Sequence, residues 1–388
     1  MLNRWIPALN HLVYEQVLRP LLFRRSAMEA HQRLLTLLAW ADEPLPSGAL
    51  GLLRRLVRAR CDVTVGGVLL PQSLILAAGL VKGEGFDSEA AALAAVESGR
   101  CIMPGWRSVP RLVGPVEFGS FTRWPRQGNA GVTLWRDPAT RSTQNRVGLR
   151  NPGVLAAAAF LARHRDSLPP VFGINIAISP GVTDLDQELQ EARESIAAFV
   201  RQGIRPSWFT LNVSCPNTED DPGARQTEQH TRRLCRAVVE LLNGDVQPTP
   251  LWVKVGPGLA AEQYAALMRV FADEGVRAVI ATNTHPEPTP DDPALMAGVG
   301  GGRLHARALA AAGHLLTERQ RRGYAVDVIG CGGVIDAASY HEFRALGVAA
   351  VQYWSALVYR GPLAAAVVES EFRHAESDGA RRPGAARN

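Results

Sequence analysis

Residues 251–284 read LWVKVGPGLAAEQYAALMRVFADEGVRAVIATNT. The opening LWVKVG (251–256) is a short strand-like run stopped by a Gly-Pro-Gly turn. AAEQYAALMRVFADEG (260–275) then sets apolar residues three and four apart, which is one face of a helix, and AVIATNT (278–284) is strand-like again. A strand, a helix and a second strand in so few residues make one βα repeat, in which parallel strands are joined by a crossover helix.

The unit recurs along the chain. Further runs of the same type are SLILAAG (73–79), PVEFGSF (115–121), VFGINIA (171–177), WFTLNVS (208–214), VDVIGCGG (326–333) and AAVQYWS (349–355), making eight in all. Eight units predict an α/β fold of the (β/α)8 TIM barrel type. A doubly wound sheet alternates in the same way, but it usually has fewer strands and carries its glycine fingerprint after the first. Here the glycines cluster late, at GVGGGR (298–303) and GCGG (330–333). The expected organisation is a small helical extension over 1–60, a barrel over 61–373 and a polar, disordered tail over 374–388.

Composition narrows the class of protein. The chain of 388 residues is 46% hydrophobic and 20% charged, which suits a globular protein with a substantial core. Residues 1–60 hold nine Arg against four acids, so this segment carries the whole net charge of +5. The balanced remainder argues against a nucleic-acid-binding face. The five cysteines (Cys61, Cys101, Cys215, Cys235, Cys331) include no CxxC pair, which points away from a metal site and towards a reducing compartment. No signal-peptide core and no apolar window of about 18 residues is present, so a chain neither secreted nor membrane-spanning is expected. Residues 5–40 have leucines at helical spacing, a break at Pro20 and flanking arginines. Such helices either pack on the barrel or lie on a membrane surface.

In barrels of this kind the chemistry sits where strands end. Lys82, Ser120, Asn175, Asn212, Cys215, Asn217, Lys254, Asn283 and Thr284 fall in or just after the strand-like runs. Asparagines at such places need several hydrogen-bond partners, which a flat heterocycle with alternating donors and acceptors supplies. Of 42 basic residues only Lys82 and Lys254 are lysine, so a compact ammonium is wanted at two strand-linked positions. Lys254, between Val253 and Val255, should point into the barrel and meet an anionic or electron-rich partner. The two glycine clusters and Ser355 suit a phosphate site formed by loops after the seventh and eighth strands.

These residues resemble the FMN-dependent dihydroorotate dehydrogenases over most of 12–368. The segments that carry the resemblance include LAAGLVK (76–82), GSFT (119–122), QNRVGLRNPG (144–153), LNVSCPNT (211–218), VKVGP (253–257), VIATNT (279–284) and VQYWSALVYRGP (351–362). The resemblance implies FMN contacts from Ala77, Ala78, Gly79, Ser120, Asn175, Asn212, Lys254, Thr282, Gly302, Gly333, Trp354 and Ser355. It implies pyrimidine contacts from Lys82, Asn145, Arg146, Val147, Gly148, Leu149, Asn212, Asn217, Asn283 and Thr284, with Cys215 as the general base. The N-terminal segment is similar to that of the quinone-reducing, membrane-associated class. In that class an N-terminal helical pair forms a quinone tunnel, and His31 and Arg136 match residues lining it. The implied function is oxidation of dihydroorotate to orotate with electrons passed to a quinone, at the cytoplasmic side of the cell membrane or in the cytoplasm.

Five features depart from the family pattern. That class carries serine where Cys215 stands, and cysteine belongs to the soluble class. The segment 83–114 is long, Ile178 stands where a lysine is common, and Leu149 replaces an aromatic residue. The loop 215–225 is extended as well.

Overall fold

The structure, a computed structural model, describes residues 5–57, 61–213, 228–245 and 247–380. All eight strand-like runs form parallel strands of one sheet. In chain order they are Leu74–Leu76, Glu117–Phe121, Gly173–Ala177, Trp208–Asn212, Leu251–Val255, Ala278–Ala281, Asp327–Cys331 and Ala350–Tyr353. From the second strand onward each pairs with its successor, and the eighth pairs with the first. The first strand meets the second at one parallel bridge, Leu76 to Val116, where the Leu76 N–H donates to Pro115 O at 2.9 Å. The sheet therefore closes into the expected barrel.

Helices cover the outside for the reason the sequence suggests. In Ala261–Asp273 the residues Tyr264, Leu267, Met268 and Phe271 share one stripe and are buried, which is the amphipathic pattern of a barrel's outer ring. Inside the barrel, Trp208 and Trp252 stack with ring centroids 4.3 Å apart, among Ile75, Ile280 and Ile329.

Two pieces of sheet were not apparent from the sequence. A hairpin, Val63–Val65 with Val68–Leu70, plugs the end of the barrel where the strands begin. Its Gly66 N–H donates to Asp327 Oδ2 at 2.8 Å, and its carbonyl accepts from Trp252 Nε1 at 3.3 Å. Gly66 has φ of +53°, and a side chain there would run into the Trp252 indole. At the opposite end an antiparallel sheet forms from Leu134–Asp137, Ser142–Asn145, His285–Pro288 and Met296–Gly301. One of its strands contains GVGG, so the cluster at 298–303 follows the sixth barrel strand. It does not lie after the seventh or eighth, where the sequence placed it.

The N-terminal segment is helical, with one correction. The chain runs helically from Trp5 to Phe23, through a π-helical stretch at His11–Leu18, and passes Pro20 without a break. Pro20 falls in the first turn of Arg19–Phe23, where a missing N–H costs least. The break comes at 24–26, and Ser26 with Glu29 forms a capping box that starts Ala27–Ala41. At the other terminus the helix Ala364–Ala380 takes in the first residues of the expected tail. The pair Arg373–Glu369 at 2.8 Å and a contact of Glu371 with Arg360 brace it. Among the described residues no helix is long and apolar enough to cross a membrane.

The long segment 83–114 holds this helical hood to the barrel. It folds into the helices Glu89–Glu97 and Ser108–Val113, and the second packs on Pro44–Val57 of the hood. At the hood's corner Asp42 is buried. Its carboxylate accepts from Gly105 N at 2.7 Å, Arg107 N at 3.1 Å, and Ser108 N and Oγ, each at 2.8 Å. Burial still holds the Asp42 carboxyl above the usual carboxylate range, against the pull of those bonds. Asp42→Ala strands three backbone donors, so a stability loss of roughly 2–3 kcal/mol is expected. Chemical denaturation would measure it, and limited proteolysis should then cut the hood first.

Candidate functional site

Strand alternation sends Trp252 and Lys254 into the barrel and Val253 and Val255 outward. Lys254 is 6% exposed, and its Nζ lies 3.1 Å from Gln352 Oε1 and 3.5 Å from Cys331 Sγ. A buried ammonium needs such partners, because leaving water uncompensated costs it several kcal/mol. An amide oxygen and a sulfur, both electron-rich, are thus among its partners. Burial pushes the Cys331 thiol up, with the Lys254 ammonium pulling it part of the way back.

A second polar cluster centres on Glu117, wholly buried in the second strand. Its carboxylate accepts from Trp208 Nε1 at 2.9 Å, from Thr210 Oγ1, and from Asn175 Nδ2 at 3.3 Å. Asn175 Oδ1 in turn accepts from Ser120 Oγ at 2.5 Å. The carboxylate therefore fixes which way the Asn175 amide faces, and Asn175 fixes the Ser120 hydroxyl.

Above both clusters a cavity with about 1200 Å³ of empty space, open mouth included, occupies the end where the strands stop. Ala77, Ala78, Gly79, Ser120, Asn212, Lys254 and Thr282 line it from the barrel side. Lys82, Asn145, Val147, Gly148, Leu149, Asn283 and Thr284 line it from the loops and the antiparallel sheet, and His31 reaches it from the hood. Gly300, Gly301, Gly332, Gly333, Trp354 and Ser355 complete the wall. Ser355 Oγ bonds Thr143 Oγ1 at 2.8 Å, close to the start of the helix Gly302–Arg322. Backbone N–H groups at a helix start suit an anion. Thr284 Oγ1 and Gln352 Nε2 are buried on this wall with no hydrogen-bond partner among the described residues.

Four of the residues singled out from sequence stand back from the wall. Asn175 lies behind Ser120. Gly302 opens the helix where a side chain would strike Thr140 O. Arg146 turns away and donates to Ala130 O at 3.3 Å. Arg136 donates to Leu22 O at 3.4 Å and to Arg25 O and lies 4.3 Å over the Phe23 ring, which ties the antiparallel sheet to the hood. Cys215 and Asn217 lie outside the described residues.

Leu149 is buried at the cavity edge with φ of +53°, a conformation that costs a non-glycine residue about 1 kcal/mol. Asn151 Nδ2 holds its carbonyl at 2.7 Å. The sequence reading passed over Gln352, Cys331, Thr143 and Glu117. The signal for Gln352 was a single polar residue inside the apolar run AAVQYW, and for Glu117 an acid inside PVEF.

Fold and cavity together define an α/β-barrel protein with a large ligand site at its mouth, walled by amides, two lysines and a glycine-rich end. The family model for dihydroorotate dehydrogenase matches residues 107–375. The chain is similar to dihydroorotate dehydrogenase (quinone) of Gloeobacter violaceus, 32% identical over 89% of each chain. It is also similar to the protein of that name from Chloroflexus aurantiacus, 33% identical over 91% of this chain and 94% of that one. Among solved structures, DHODH from Eimeria tenella in complex with ferulenol shares the fold with a TM-score of 0.67. That match has 20% identity and covers 86% of this chain and 91% of that one. The chain belongs to the dihydroorotate dehydrogenase family.

His31 gives the site a pH signature. Burial, with Lys82 and Arg150 nearby, lowers its pKa to about 4. The folded state thus resists protonating a ring that the unfolded chain protonates near 6.5. The stability this contributes is complete above pH 6.5 and is lost as pH falls towards 4. Melting temperature followed from pH 7 to 4 should fall less steeply in His31→Gln than in the parent. Parallel curves would remove His31 from the acid response.

Proposed function

We propose that the chain oxidises dihydroorotate to orotate, with FMN held in the barrel mouth and a quinone as electron acceptor. The observation that carries this reading is the convergence of both lysines, three strand-linked asparagines and the glycine-rich end on one cavity, in a chain of this family.

The cavity fits FMN on its own chemistry. It offers a buried ammonium, two buried polar atoms that lack a partner among the described residues, and a glycine-lined end beside a helix start for a phosphate. Ala77, Ala78, Gly79, Ser120, Asn212, Lys254, Thr282, Gly333, Trp354 and Ser355 would hold the group. Asn175 supports Ser120 from behind, and Gly302 contributes the helix start. When bound, FMN supplies a hydride acceptor that later yields its electrons to the quinone.

The chain's own residues do the rest. Lys82, Asn145, Asn283 and Thr284 bind the polar edge of the pyrimidine, and Val147, Gly148 and Leu149 close over it. Cys215 Sγ takes the proton from the substrate ring. Of the other four cysteines, Cys61 is exposed and Cys101 is raised to about 11. Cys235 is fully buried and pushed still higher, and Cys331 is raised and paired to Lys254. Cys61, Cys101 and Cys235 do not line the cavity, and the raised thiol of Cys331 disfavours the thiolate a base requires. Lys254, fixed by Gln352 and Cys331, brings positive charge to the cavity floor where negative charge gathers as substrate is oxidised.

Residues 1–60 would bring the protein to a membrane surface, on the cytoplasmic side. Leu12, Val13, Val17, Leu18 and Leu21 are exposed on the first helical stretch, as are Trp40, Leu45, Leu52 and Leu56 on those that follow. Arg24, Arg25, Arg33 and Arg55 are exposed beside them. Apolar faces bordered by arginines suit an anionic bilayer. His31 on the cavity wall and Arg136 at the seam between hood and sheet mark the side from which a quinone would approach.

Two experiments test these readings. Dihydroorotate added anaerobically should bleach the visible flavin absorption of the purified protein, and an unchanged spectrum would sink the assignment. In Cys215→Ala the bleaching rate should fall at least a hundredfold with flavin retained, the range expected for loss of a general base. Separately, replacing Leu12, Val17 and Leu21 together by serine should weaken co-sedimentation with anionic vesicles. Equal binding by the parent and the triple variant would remove the hood from membrane association.

A further inference from the structure

The eighth strand places Gln352 on its inner face, with Val351 and Tyr353 turned to the outer core. The Gln352 side chain is 0% exposed and lines the cavity floor. Its orientation is not free. An ammonium only donates hydrogen bonds, so the atom 3.1 Å from Lys254 Nζ must be the amide oxygen. The amide nitrogen therefore points the other way, where it is buried and has no partner among the described residues. Leaving such a donor unmet costs about 1–3 kcal/mol. Among the described residues, then, nothing in the fold meets that cost, and Gln352 lines the cavity proposed above to hold a ligand.

We infer that Gln352 is a ligand-binding residue whose amide, oriented by Lys254, donates Nε2–H to an acceptor atom of the bound flavin. The inference rests on the flavin reading above. The isoalloxazine ring system suits this donor, since its pyrimidine portion carries carbonyl oxygens and an imine nitrogen that can only accept. Lys254 and Gln352 then act as one unit. The ammonium fixes the amide, and the amide holds the ammonium against Cys331 at the floor. Losing the amide affects the ligand directly, through the missing donor, and indirectly, through a less constrained Lys254.

Two variants of the holoenzyme separate these effects. Gln352→Met keeps the volume and removes both donor and acceptor. Gln352→Glu keeps an acceptor for Lys254 but sets an acceptor against the flavin. Both should release FMN at least tenfold more readily on dilution, seen as a rise in flavin fluorescence, as befits one lost buried hydrogen bond. Gln352→Glu should in addition shift the flavin midpoint potential to a more negative value, because its carboxylate offsets the ammonium. Gln352→Met introduces no charge, so a midpoint potential moved in that variant as well marks the lost donor, which a purely structural glutamine would not show. If Gln352→Met does not fold, Gln352→Glu decides alone, since it retains the bond to Lys254. FMN retention and midpoint potential equal to the parent's in Gln352→Glu overturn the inference. A parent protein that purifies without flavin and takes none up overturns the flavin reading instead, and this inference with it.

Discussion

Closure of the sheet between its first and second strands is the constraint on which the rest of the molecule depends. Seven of the eight neighbouring pairs share a ladder of several residues, whereas Leu76 and Val116 share one bridge. Backbone bonds past the strand ends reinforce it, with Gly79 N–H donating to Gly119 O at 2.7 Å and Gly119 N–H to Val81 O at 2.8 Å. These bonds are also where the cavity begins, because Ala77, Ala78, Gly79 and Ser120 are the residues carried beyond the closure. The seam that completes the barrel thus shapes one wall of the site. Glycine at 79 and 119 gives the backbone the positive φ it adopts at both positions, and at 119 a side chain would strike Asn175 O.

A closed barrel excludes water from its interior, so every charge placed inside must be answered by the protein or its ligand. Among the described residues Glu117 and Lys254 are two such charges, and they are answered differently. Glu117 is surrounded by donors from two strands and is spent on orienting Asn175 and Ser120. Lys254 lines the cavity, where an oxygen and a sulfur are among the atoms that hold it. The first charge organises the protein behind the wall, and the second forms part of the wall itself.

The barrel was legible because its signals are local: eight apolar runs, and helices whose apolar spacing is that of one buried face. The plug hairpin and the antiparallel sheet were not, since their strands are short and partly polar. STQN and HPEP carry little of the alternation that marks a half-buried strand. Because one of those unseen strands contains GVGG, the glycines were assigned to the wrong connection. Lys254 and Asn212 could be read as site residues because a polar group inside a strand is conspicuous. Asn175 and Ser120 were visible for the same reason, but the acid that orients them was not. That acid acts through contacts between strands far apart in sequence. Pro20 misled because its rule concerns helix interiors, and here it occupies a first turn.

Both lysines of the chain line one cavity, while the charge on its outer surface is carried by arginine. Chemically, the side-chain primary amines of the protein are confined to its ligand site. Reagents that acylate or alkylate amines ordinarily scatter over a protein's exterior. In this protein they meet guanidinium groups there, which they leave alone, and the side-chain targets lie at the mouth of the barrel. Amine chemistry thus becomes a selective handle on the cavity, with whatever occupies the cavity standing between the reagent and its targets.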